Sequence, residues 1–130
     1  MTVRSRALIA AILSGLLARP VAAQESVWTA VIPQGFAHNI YLWHLKPGGA
    51  YSEDGRDAAS GAPIQSTLTG HWRMTGTHMV LRQDGIDYRF DGNIVGDEYL
   101  GVVYLNGKRF SRFCALRGKT PPKTCAAVSA

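Results

Sequence analysis

Residues 67–116 alternate apolar and polar positions in short runs, broken by turn pairs at Thr75-Gly76, Asp84-Gly85, Asp91-Gly92, Asp97-Glu98 and Asn106-Gly107. Asn-Gly and Asp-Gly supply the positive φ angles that tight hairpins require, so the stretch reads as successive hairpins. A turn at Thr75-Gly76 sets Arg73 opposite His78, Trp72 opposite Met79 and Gly70 opposite Leu81. A turn at Asp84-Gly85 sets Arg82 opposite Asp87, Leu81 opposite Tyr88 and Met79 opposite Phe90. Both registers match apolar with apolar and polar with polar, an agreement that a one-residue slip destroys. One face then collects Leu68, Gly70, Trp72, Met74, Met79, Leu81, Ile86, Tyr88 and Phe90. A turn at Asp91-Gly92 adds Val95 to that face, opposite Tyr88. The runs 99–105 and 108–116 are apolar on both faces, and their inner side stays unassigned.

Upstream, the β-branched run 27–32 ends at Pro33 and Gly35 and reads as a strand. Residues 38–45 alternate, with Ile40, Leu42 and His44 on one face and Asn39, Tyr41, Trp43 and Leu45 on the other. Residues 46–65 carry Pro47-Gly48-Gly49, Asp54-Gly55 and Ser60-Gly61-Ala62-Pro63, and read as a long acidic loop around a brief strand at Tyr51-Ser52-Glu53. The expected fold class is all-β: an antiparallel up-and-down meander of about seven or eight strands forming a small barrel or half-barrel.

The first 23 residues stand apart. Arg4 and Arg6 precede an apolar run, 7–18, and Val21-Ala22-Ala23 supplies small residues, the pattern of a signal peptide cleaved after Ala23. The run is too short to cross a bilayer core, which takes about 20 residues. A single domain, 24–130, remains, and the expected location is periplasmic or secreted. Removing Arg4, Arg6 and Arg19 from the 14 cationic residues leaves 11 against 9 acids, so the chain's +5 falls to +2. That charge makes no case for nucleic acid, and after cleavage no membrane span is expected. The C-terminal stretch is nonetheless basic, with Lys108, Arg109, Arg112, Arg117, Lys119 and Lys123 and no acid. Such a stretch is commonly a solvated edge; alternatively Arg112, Arg117 and Lys119 bind a protein of the envelope or exterior. Cys114 and Cys125 are the only cysteines, and in an oxidising compartment they read as a disulfide tethering the Pro121-Pro122 tail.

Gly70-His71-Trp72 resembles the Gly-x-Trp strand of lipocalin-like and avidin-like calycin barrels. In those families a Trp closes one barrel end and an Arg from the last strand packs over it. The resemblance implies a small exported barrel holding an apolar ligand, with Arg109 or Arg112 over Trp72. In those families the motif lies on the first strand, whereas here two strands precede it.

Catalytic signals are sparse. His38, His44, His71 and His78 lack partners at ligand spacing, so no metal is expected. Ser66 and Ser111 have no nucleophile elbow around them. Glu53/Asp54 and Asp97/Glu98 read as turn acids, normally solvated. No phosphate loop is present, and no cofactor is expected. Tyr41, Trp43 and Tyr99 are the aromatics expected at the surface. The function expected is therefore non-enzymatic binding: an apolar or amphipathic small ligand on the concave face near Trp72, Tyr88 and Tyr104, with Arg109 as polar anchor. The alternative is a protein-interaction or inhibitor module using the basic C-terminal strand.

Overall fold

The computed structural model describes residues 25–34 and 36–123. The signal peptide and Cys125, hence the disulfide, lie outside the described residues. Eight strands follow in chain order: β1 Ser26–Ile32, β2 Phe36–Leu45, β3 Ala50–Asp57, β4 Leu68–Thr75, β5 His78–Gln83, β6 Tyr88–Val95, β7 Glu98–Leu105 and β8 Lys108–Arg117. Each pairs antiparallel with its neighbour, and β1 pairs antiparallel with β8, closing the barrel. An even number of up-and-down strands allows that closure, and it leaves no sheet edge. All described regular structure is strand.

The pairings correct the expected registers in an instructive way. Thr75, not Arg73, faces His78, and Arg82 faces Arg89 rather than Asp87. Both shifts are by two residues, so every side chain keeps its face. Asp91-Gly92 is not a turn. Those residues lie inside β6, which runs on to Val95. Continued alternation turns Val95 outward, where it is 69% exposed. Between β7 and β8, Tyr104 faces Arg109, but a bulge then sets Val103 opposite Ser111. The extra residue, Phe110, explains why neither face of β8 looked purely polar in the sequence.

The chain order gives the barrel two unlike ends. The connections β2–β3, β4–β5 and β6–β7 lie at one, and the other four lie at the opposite end. At the first end the interior is solid. Trp28, Trp43, Phe90, Tyr99 and Phe113 are all buried there. Their rings meet largely edge to face, Trp43 to Phe90 at 4.6 Å and Tyr99 to Phe113 at 4.8 Å between centroids. Such contacts add to what area burial alone contributes. The expectation that Tyr41, Trp43 and Tyr99 are exposed is wrong: their strands face a closed barrel, so one side of each is interior. The Tyr99 hydroxyl is satisfied within the core, donating to the Met79 carbonyl at 2.7 Å. Beneath this core the Arg117 guanidinium lies 4.3 Å from the Trp28 ring centre and contacts Asp97 at 3.2 Å.

Candidate functional site

The second end is open. Here the interior is not filled and leaves a cavity of about 490 Å³. An eight-stranded barrel is just wide enough to be filled by side chains or to leave room for one small molecule, and this one is filled at one end and open at the other. Its walls are Ile32 of β1, Tyr41 of β2, Leu68 of β4, Tyr88 of β6, Leu105 of β7 and the bulged Phe110 of β8. Phe36, Ile64 and Ile86 stand at the mouth and are 40%, 42% and 48% exposed. Phe36 contacts Phe110 and Tyr41, with ring centres 5.6 and 6.4 Å apart. An apolar collar around an opening is uncommon on a protein surface without a binding role.

Polar groups gather inside. Alternation along β3 points Tyr51, Glu53 and Gly55 inward and Ser52 and Asp54 outward. Glu53 is therefore not a solvated turn acid; it is 4% exposed and lines the cavity. It sits directly across from Trp43 on β2, whose Nε1 donates to Glu53 Oε1 at 2.8 Å. From the connection between β3 and β4, Gln65 Nε2 donates to Glu53 Oε2 at 3.1 Å. A bridge between Arg56 and Pro63 and a bond from Ile64 N to the Gly55 carbonyl fold that connection back over β3. Desolvation raises the Glu53 pKa, against the lowering effect of the Trp43 and Gln65 bonds. Burial likewise raises the Tyr88 and Tyr41 hydroxyls, and the charge of Glu53 adds to both shifts. Asn39 Nδ2 donates to the Tyr41 hydroxyl at 3.2 Å, and Gln83 completes the polar lining. What this arrangement can do is hold a small molecule with its polar end against Glu53 and its apolar end toward the collar.

The residues singled out from sequence are dispersed. Tyr88 lines the cavity. Trp72 lies near the opposite end, where its Nε1 donates to the Lys46 carbonyl at 2.9 Å. Tyr104 is on the outer surface beneath the Arg89 guanidinium, 4.1 Å from its ring centre. Arg109 is exposed beside the β7–β8 turn and does not line the cavity. In β8, Arg112 is half-buried, and its Nε has no hydrogen-bond partner among the described residues. Arg117 is engaged by Trp28 and Asp97, and Lys119 is exposed beyond the strand. Cys114 is buried on β8. The histidines His44, His71 and His78 each contact a carboxylate on the outer surface. Among the described residues no three His, Cys, Asp or Glu side chains converge as a metal site.

Sequence reasoning missed Glu53, and the signal was present. The order Tyr51, Glu53, Gly55 against Ser52, Asp54, Arg56 is a strand alternation, obscured by the Asp54-Gly55 pair that suggested a turn. Comparison of the chain with protein-family models, with curated proteins and with solved structures gives no match.

Proposed function

We propose that the chain is an exported, non-enzymatic protein that binds an apolar or amphipathic small molecule in the open end of its barrel. The observation that carries this reading is the divided interior: a packed aromatic core at one end and a cavity of about 490 Å³ with an apolar collar at the other. A mostly apolar pocket of several hundred cubic ångströms with a few converging polar groups is the usual form of a small-molecule site. Kinship with lipocalin-like barrels belongs to the same proposal. The Trp and last-strand Arg of those families are matched here by Trp28 on β1 and Arg117 on β8, 4.3 Å apart, rather than by Trp72 on β4. That the Trp lies on the first strand agrees with the family pattern better than Gly70-His71-Trp72 does.

Trp43 touches the inner end of the cavity through Glu53, so its emission reports occupancy. Titration of the purified protein with a panel of hydrophobic dyes and single-chain lipids is expected to give a saturable, one-site change in tryptophan fluorescence. Absence of any response across the panel, together with no bound mass in native mass spectra, overturns the reading.

A further inference from the structure

We infer that the ligand presents a hydrogen-bond-donating, cationic head to Glu53: the site selects an amphipathic primary amine over a fatty carboxylate. This inference rests on the small-ligand reading above and adds the chemical class.

Charge comes first. Among the described residues lining the cavity Glu53 carries the single carboxyl group, and there is no Lys, Arg or His. A carboxylate ligand pushed to this depth would be desolvated beside a carboxyl group with no cation, where two neighbouring carboxyl groups cannot both ionise cheaply. An ammonium group there instead favours the ionised form of Glu53 and meets the opposite sign. Hydrogen-bonding capacity agrees. Of the nitrogen donors nearest the inner end, Trp43 Nε1 is committed to Glu53, while Gln65 Nε2 and Asn39 Nδ2 each spend one of two N–H bonds, on Glu53 and on Tyr41. The acceptors are not exhausted. A carboxylate has about four lone-pair positions, and the protein donors at Glu53 fill two of them. The amide oxygens of Asn39 and Gln65 remain as well, and the hydroxyls of Tyr41 and Tyr88 can accept in addition to donating. A head with several N–H donors and one positive charge complements that set.

The carboxylate is also held ready. Its two bonds come from different elements, one from β2 and one from the connection between β3 and β4, so its orientation is set before a ligand arrives. Pre-orientation of this kind lowers the ordering cost of binding. The collar of Phe36, Ile64 and Ile86 then receives the apolar remainder, which by itself carries no preference for head group.

The test compares three probes with one tail, n-decylamine, n-decanol and n-decanoate, titrated at neutral pH into the purified full chain and followed by calorimetry and tryptophan fluorescence. The amine is expected to bind at least about tenfold more tightly than decanoate, the scale of one hydrogen-bonded charge. In Glu53→Gln the amine is expected to weaken by about tenfold or more while decanol changes little. Decanoate binding as tightly as the amine overturns the inference. So does an amine affinity unchanged in a Glu53→Gln protein that retains its near-ultraviolet dichroism. If the variant does not fold, the head-group comparison in the unaltered protein still decides. Binding of decanol without preference for the amine rejects the amine head alone; failure of all three probes rejects the small-ligand reading with it.

Discussion

At the scale of single residues, Glu53 stands out because a carboxyl group is rarely buried without a cation. Its pKa lies above the ordinary glutamate value of 4.5, with desolvation as the main cause and Asp54 adding to it. The native state then holds a proton that the unfolded chain has lost over the interval between 4.5 and the native value. The unfolded state binds fewer protons there, so stability falls as pH rises through that interval and levels off above it. Below 4.5 both states are protonated and the group contributes no slope. Glutamine does not titrate. The melting temperature of Glu53→Gln relative to the unaltered protein is therefore expected to rise with pH from acidic to neutral solution. A relative melting temperature that falls with pH contradicts the burial of this carboxyl group. Glu53 was hard to read from sequence because two acids followed by glycine look the same in a turn and in a strand whose alternate residues face inward.

Among the elements, β6 and β7 show how a strand hides a turn signal. Asp91-Gly92 has the composition of a hairpin turn but sits in mid-strand, with Gly92 facing Gly101 across the pair. A Cβ added to Gly101 would lie 2.1 Å from the Asp91 carbonyl oxygen, and one added to Gly92 would lie 2.2 Å from that of Leu100. These glycines answer to close backbone approach where the sheet curls, a role that composition does not separate from turn-making. Gly101→Ala is expected to lower stability by about 1–3 kcal/mol, as overpacking does. Urea denaturation measures it, and a midpoint within error of the parent chain rejects the close approach. The two-residue register shifts at β4–β5 and β5–β6 belong to this scale as well. Period-2 patterning specifies the face and is blind to any shift by an even number.

For the whole molecule, closure of β1 onto β8 creates the interior in which one end packs and the other stays open. Leu105 projects into the cavity between Tyr88 and Phe110. Leu105→Trp fills part of that space without touching the aromatic core. It is expected to weaken dye or decanol binding by at least about tenfold while retaining a cooperative melt, since the lost cavity is where the proposed ligand would bury most of its apolar surface. Undiminished binding in a folded Leu105→Trp protein places the ligand elsewhere.

Local pattern alone determined that the chain is an antiparallel meander and which face of most central strands is apolar. Alternation and turn composition are properties of neighbours in sequence, and β4, β5 and the start of β6 follow them. The ends of the pattern needed the tertiary structure. Burial of Tyr41, Trp43 and Tyr99, inclusion of Glu53 in the interior and the stacking of Arg117 on Trp28 all depend on strands brought together by closure. The cavity depends on it too. Its walls come from β1 to β8 and from the loop holding Ile64, Gln65 and their neighbours. No local pattern encodes a volume enclosed by residues so far apart in the chain.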